Sequence, residues 1–196
     1  MTSEVSICAA ALTELGDKPI SSFLDPTDAA RACSIIYPFV RDEVLRVGWN
    51  SCTGRVLLAP LAETPAFDYP YQFQLPADWL RTIQVGRRGD SLGYAAEGLR
   101  ILAHVQALPL VYVRRNDVVS TWESTLIGVM RAAMRAALAY PITQSASMKQ
   151  LEEQKLIAIL KQAKALNGQD DDTETLGDFP LIASRIAGYY SRAPGR

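Results

Sequence analysis

Between Trp49-Asn50 and Asn116-Asp117 the chain changes its hydrophobic period, and this change constrains the fold more than any other feature of the sequence. On either side, apolar residues recur every three or four positions, the spacing of a helix face. Inside the block they alternate, the spacing of a half-buried strand. The pattern predicts a helical body with an all-β insertion. At 196 residues the chain is long enough for one substantial core, or for a body and a small insertion that share it.

Val5, Cys8, Ala9, Leu12 and Leu15 mark the apolar face of a first helix over about residues 3 to 15, and Gly16 stands where a left-handed cap ends it. A second helix is expected to start at Asp25-Pro26-Thr27-Asp28, with Asp25 as N-cap and Pro26 in the first helical position. Its stripe of Ala30, Cys33, Tyr37, Val40, Val44 and Val47 runs to Gly48, with a kink or break expected near Ile36 because Pro38 removes a backbone donor. The third helix is expected to begin at a capping box formed by Ser120 and Glu123, and to bury Leu126, Met130, Ala133, Ala137 and Tyr140. Its alanines suit close approach by a neighbour, and Pro141 is expected to stop it. The fourth helix covers about Ser147 to Asn167, with Leu156, Ile159, Leu160, Ala163 and Leu166 inward.

Within the block, strands are expected at residues 68–75, 80–87, 99–105 and 108–114, with Gly86-Arg87-Arg88-Gly89-Asp90 as a hairpin or loop tip. The expected architecture is thus α+β: an antiparallel bundle of about four helices (residues 1–49 and 117–168), a small antiparallel β insertion between helices two and three (50–116), and an extended C-terminal arm (169–196). That arm is acidic through Asp170, Asp171, Asp172, Glu174 and Asp178. It then turns basic and aromatic, as a docking segment would.

Twenty basic and 21 acidic residues leave the chain nearly neutral, which argues against bulk attraction to nucleic acid or anionic lipid. No secretory leader or membrane-spanning run is read, so synthesis in a cytoplasm is expected. Three widely spaced cysteines, Cys8, Cys33 and Cys52, fit reduced core residues better than a disulfide framework or a metal site.

No constellation for catalysis emerges, and the expectation is a protein that is not an enzyme and carries no cofactor or metal. His104 is the single histidine, and no base or nucleophile stands at a useful spacing from it. The glycines at 86, 89 and 93 form no phosphate-binding motif. Arg88-Gly89-Asp90 is good turn chemistry before it is an adhesive tripeptide. Glu152-Glu153 and Asp170 to Asp172 read as solvated charge rather than as converging cation ligands.

Several short motifs nevertheless occur in a recognisable order. They are Ala10-Ala11-Leu12-Thr13-Glu14-Leu15-Gly16, Ala29-Ala30-Arg31-Ala32, Val40 to Arg46 leading into Trp49-Asn50, Tyr69-Pro70-Tyr71, Leu75-Pro76-Ala77-Asp78-Trp79-Leu80-Arg81, Glu97-Gly98 before Ile101-Leu102, and Val111-Tyr112. In this succession the chain resembles the tail tubular protein A family, the head-to-tail adaptors of short-tailed bacteriophages. Gly48 before Trp49 and Ser51-Cys52 after Asn50 depart from that pattern.

The resemblance implies a virion protein, assembled in the host cytoplasm, that forms a ring, commonly a dodecamer, between the portal protein and the tail nozzle or tube. Double-stranded DNA would pass through its channel without sequence-specific binding, and no membrane would be involved. It further implies that Leu181, Ile182, Arg185, Tyr189, Tyr190 and Arg192 dock on the portal, and that Arg87, Arg88 and Asp90 face the tail. A connector of a long-tailed phage or gene-transfer particle is the alternative. A small helical DNA-binding protein is a more distant one.

Overall fold

The computed structural model describes residues 2–169. Four helices, α1 (Glu4–Glu14), α2 (Asp28–Leu45), α3 (Ser124–Thr143) and α4 (Ala146–Gln169), flank six strands. The strands are β1 (Thr53–Leu58), β2 (Tyr71–Gln74), β3 (Trp79–Val85), β4 (Tyr94–Glu97), β5 (Arg100–Ala103) and β6 (Leu108–Arg114). The strands form two three-stranded antiparallel sheets, ordered β1-β6-β3 and β2-β5-β4. This corrects the expected fold: the chain is a mixed α+β structure rather than a four-helix bundle carrying one small insertion. Two strands escaped the sequence pattern. The β4 sequence Tyr-Ala-Ala-Glu has little β-propensity, and β1 follows the 3₁₀ turn Asn50–Cys52 without a punctuating residue.

The chain divides into two compact units. One comprises residues 2–54, 76–83 and 112–168 and holds the helices; the other comprises residues 55–75 and 84–111. In the helical unit, α1 and α2 both pack on α3. Helix α3 is buried on most sides through Leu126, Val129, Met130, Ala132, Ala133, Met134, Ala136, Leu138 and Ala139. Four of these are alanines, and their small side chains let two helices approach one. Ile7, Cys8, Ala11 and Leu12 of α1 meet the same core, as do Cys33, Tyr37, Val40 and Val44 of α2.

Local signals differ in informative ways from what the sequence suggested. Thr27, not Asp25, caps α2, its side chain accepting from Ala30 N. Asp25 instead accepts from the amides of Ser21 and Ser22 and so fixes the preceding loop. Helix α2 runs through Pro38, which is exposed, so the carbonyl that loses its partner can be hydrated. The box proposed for Ser120 and Glu123 does not form; residues 119–121 make a 3₁₀ turn, and α3 starts after Glu123. Helix α3 also passes Pro141, ending at Gln144 in a left-handed cap with φ 55°.

Helix α4 is held differently from the other three. Of its 24 residues only Glu152 and Ala163 are buried. Leu156, Ile159 and Leu160 are half-buried against the core, whereas Leu166, expected inside, is exposed. Polar bonds supplement this thin apolar seam. Arg135 of α3 bridges Glu14 of α1 and Glu152 of α4, and within α4 Lys155 reaches the same Glu152 at 2.8 Å. Near its other end, Asn167 accepts from Asn50 N at 3.2 Å and donates to the Gly48 carbonyl at 3.4 Å.

In the β unit, Gln72 pairs with Leu102, and Gln74 with Arg100, across β2 and β5; Ala95 and Glu97 of β4 face the same two residues. Gly98, at φ 59°, occupies the first position of the two-residue turn joining β4 to β5, where such hairpins favour glycine. Phe73, Ile101 and Ala103 are buried on the opposite face from Gln74 and Arg100.

Two substitutions test the helical core. The Tyr37 hydroxyl is buried without a hydrogen-bond partner, so Tyr37→Phe is expected to be neutral or to stabilise by about 1 kcal/mol in urea unfolding. A clear loss of stability would show that the hydroxyl has a partner. Burial favours the neutral form of Glu152, but Lys155 and Arg135 outweigh it and hold the folded carboxyl below its ordinary range. The resulting stability is present above the unfolded carboxyl pKa and is lost as pH falls through the folded one. Glu152→Gln should therefore flatten the acid side of the stability curve, and an unchanged acid limb would contradict this.

Candidate functional site

The residues that carry the resemblance lie far apart in sequence, and within the helical unit many of them meet at one junction. The junction forms where the chain leaves the helices at Trp49 and returns at Asn116. Trp49 is buried, and its ring donates from Nε1 to the Val44 carbonyl at 2.8 Å, closing the end of α2. Gly48, at φ 99°, turns the chain there, and a Cβ on it would lie 2.7 Å from Arg81 Nη2. That Arg81 group donates to the Val47 carbonyl at 3.1 Å. The left-handed backbone is what calls for glycine at 48, and Arg81 is the flexible neighbour that a Cβ there would displace.

Asp78 is the hub of the Leu75 to Arg81 segment. Its carboxylate accepts from the Tyr112 hydroxyl at 3.1 Å, and its carbonyl accepts from Arg115 N. Burial first, then the Asp78 hydrogen bond, raises the Tyr112 hydroxyl above its ordinary pKa, so it stays protonated and donating. The Arg115 guanidinium forks onto Asp42 of α2, with Nη2 at 2.7 Å and Nε at 3.0 Å from Oδ2. This bidentate bond raises the Arg115 pKa further. Arg41 adds Asp117 at 2.7 Å.

Asn116, nearly fully buried, donates to the Ser51 carbonyl and to Thr121 Oγ1, and accepts from Val118 N. Trp122 Nε1 donates to the Asn116 carbonyl. The two punctuation points of the sequence are thus hydrogen-bonded neighbours. Trp49, Arg81, Asn116 and Trp122 donate to backbone carbonyls, while the Arg115–Asp42 and Tyr112–Asp78 bonds join side chains of distant segments. None of these bonds poises a nucleophile.

In the β unit, Gly86 to Asp90 forms a fixed turn in the connection from β3 to β4, two strands of different sheets, so it is a loop tip rather than a hairpin. Arg87 N donates to Asp90 Oδ2 at 2.9 Å, Asp90 N to the Arg87 carbonyl, and Gly86 N to the Pro109 carbonyl. Gly86 and Gly89 both hold φ 86°. Arg87, Arg88 and Asp90 are exposed on this turn. It borders a recess of about 480 Å³ that also includes Leu57, Leu92, Val105 and Pro109.

Leu181, Ile182, Arg185, Tyr189, Tyr190 and Arg192 lie outside the described residues, as do Asp170 to Asp172. His104 is exposed, with its ring 5.1 Å from that of Tyr69. Glu152 and Glu153 diverge, one into the Arg135 and Lys155 pairs and the other outward to Lys149. All three cysteines are free and buried. A hydrogen bond with Cys33, then burial, pushes up the Cys8 thiol. Among the described residues no group of three or more His, Cys, Asp and Glu converges as metal ligands, and no helix is long and apolar enough to cross a membrane.

The sequence singled out the segments of Asp42, Trp49, Asp78, Arg81 and Tyr112 but not which of them bond, and it did not single out Arg115. The Asp42–Arg115 fork spans 73 positions, and no local signal announces it.

No family model matches the chain, and no curated protein matches it.

The junction makes a separable prediction. Trp49→Phe keeps most of the buried ring but loses the Nε1 bond to the Val44 carbonyl, which still accepts from Val47 N at 3.3 Å, and is expected to cost about 1 kcal/mol, against about 3–5 kcal/mol for Trp49→Ala. Gly48→Ala should cost about 1–2 kcal/mol from its left-handed backbone, and adding Arg81→Ala should not restore it, because Arg81 is a flexible neighbour. Full rescue by Arg81→Ala would mean that steric crowding, not backbone strain, dominates.

Proposed function

We propose that this chain is a structural virion protein, a head-to-tail adaptor that forms a ring between a portal protein and a tail nozzle or tube and lines the channel for double-stranded DNA. The observation that carries the reading is the junction. Asp42 with Trp49, Asp78 with Arg81, and Tyr112 come from three short motifs by which the sequence resembles the tail tubular protein A family; Asp78 bonds Tyr112 directly, and Arg115 links Asp42 to Asp78. Short matches arising by chance would have no reason to share one hydrogen-bonded corner.

The mechanism is non-enzymatic. A rotationally symmetric ring uses two different surfaces of each copy, and closure leaves neither unused. The near-neutral charge of the chain suits a conduit, since DNA must slide past and a strongly basic wall would hold it by its phosphates. The exposed Arg87, Arg88 and Asp90 turn is assigned to the tail partner. Leu181, Ile182, Arg185, Tyr189, Tyr190 and Arg192 are assigned to the portal.

The test is to mix the purified full-length protein with its cognate portal and examine the product by electron microscopy and mass measurement. Rings stacked on portals are expected. Deleting residues 178–196 should abolish attachment while leaving the circular dichroism and unfolding of the remainder unchanged. A truncated chain that still attaches would refute the docking arm, and a full-length chain that never attaches would refute the adaptor.

A further inference from the structure

Two helix faces of the helical unit leave large apolar side chains in water. On α2, Ile35 and Phe39 are 59% and 70% exposed and stand one turn apart; on α4, Ile157 is 67% exposed. Each patch lies between charges on its own strip of helix. Arg31 precedes Ile35 by four residues, and Glu43 follows Phe39 by four. Glu153 precedes Ile157 by four, while Lys161 and Lys164 follow it by four and seven.

The order of signs is opposite on the two helices. From Arg31 to Glu43 the α2 strip runs positive, apolar, negative, with Arg46 three residues further on; from Glu153 to Lys164 the α4 strip runs negative, apolar, positive. From Arg31 to Glu43 is about 18 Å, and from Glu153 to Lys164 about 16 Å, at 1.5 Å per residue. Laid side by side in parallel, the helices bring Arg31 to Glu153 and Glu43 to the two lysines, with Ile157 against Ile35 and Phe39. Laid antiparallel, like charges meet.

The fold favours the parallel arrangement. Asn167 ties the C-terminal part of α4 to Gly48 and Asn50, just beyond the C-terminal end of α2. Arg135 ties the first half of α4 to Glu14, at the end of α1 from which the chain turns toward α2. Helices α2 and α4 therefore run in the same direction within one copy. Rotation about an axis along the helices preserves that direction, so α2 of one copy meets α4 of the next in parallel. Among the described residues, Arg31 is engaged by an exposed pair with Asp28, and Glu153 by one with Lys149; such pairs are weak enough to exchange for an intermolecular partner.

We propose that these faces are the two halves of one interface between copies of this chain: α2 of one copy packs parallel on α4 of its neighbour. The contact is heterologous, so every added copy presents a fresh face, and a suitable rotation closes the series into a ring. This deepens the adaptor reading by naming the contact that would hold its ring, and it rests on that reading.

The experiment uses the full-length chain and the variants Phe39→Glu and Ile157→Glu, each checked for wild-type circular dichroism and unfolding. Their assembly is followed by native mass measurement at rising concentration, alone and on the portal. Wild type is expected to form higher oligomers. Each variant alone should need at least a tenfold higher concentration to do so. An equimolar mixture of the two should stop at dimers, because only α2 of the Ile157→Glu copy and α4 of the Phe39→Glu copy remain intact. Reversing charge with Glu43→Lys should weaken assembly, and Lys161→Glu with Lys164→Glu in the same chain should restore it. Folded variants that assemble like wild type, or a mixture that forms no dimer, would overturn the interface while leaving an adaptor ring built on other faces. Wild type that self-associates neither alone nor on the portal would overturn both.

Discussion

The forked bond from Arg115 to Asp42 is the constraint on which the helical unit depends. That unit is assembled from three separate stretches of chain. Arg115 in the third stretch grips Asp42 in the first through its side chain, and Asp78 in the second through its amide. Tyr112 and Arg81 add Asp78 and the Val47 carbonyl. Closing loops this long costs several kcal/mol of chain entropy in total, so the contacts that close them must be strong and directional. A bidentate guanidinium–carboxylate pair is both.

The same economy of apolar contact explains the outer surface. Helix α4 is attached by a thin seam of Leu156, Ile159, Leu160 and Ala163 together with the Arg135–Glu152 and Asn167 bonds, and so keeps most of its side chains in solvent. A helix that buries little of itself has little reason to be 24 residues long in an isolated chain. In the proposed ring its length has a use, since it offers a second charged and apolar strip to a neighbour. The α2 strip has matching spacing, and both strips belong to helices fixed in direction by the corner at Gly48.

Much of the helical unit was legible in the sequence because its apolar stripes are strong. Ala30, Cys33, Tyr37, Val40 and Val44 are buried as their spacing requires, and Gly16 takes the left-handed cap conformation. The sheets were less legible. Strand β4 carries only Tyr94 as a β-former, and the Asp68 backbone at φ 67° ends the strand pattern that Tyr69 and Tyr71 imply. Caps were misassigned where a side chain had two possible uses, as when Asp25 served the loop and left α2 to Thr27. The junction was half visible: Trp49 and the Leu75 to Arg81 turn stood out, but Asp42, Arg115 and Gly48 acquire meaning only when distant segments meet. The surface strips of α2 and α4 were hidden by the convention that exposed faces are merely solvated. Ile35, Phe39 and Ile157 fall off the buried stripes that the spacing gives, and they remain exposed in the structure.

The central claim is that this chain occupies the ring between head and tail, and the most direct measurement is an electron cryomicroscopy reconstruction of the particle that carries it. The account predicts a closed ring of copies directly beneath the portal, with α2 beside α4 of the next copy around a DNA channel. Density at that level that belongs wholly to other proteins, with this chain elsewhere or missing from the particle, would contradict it.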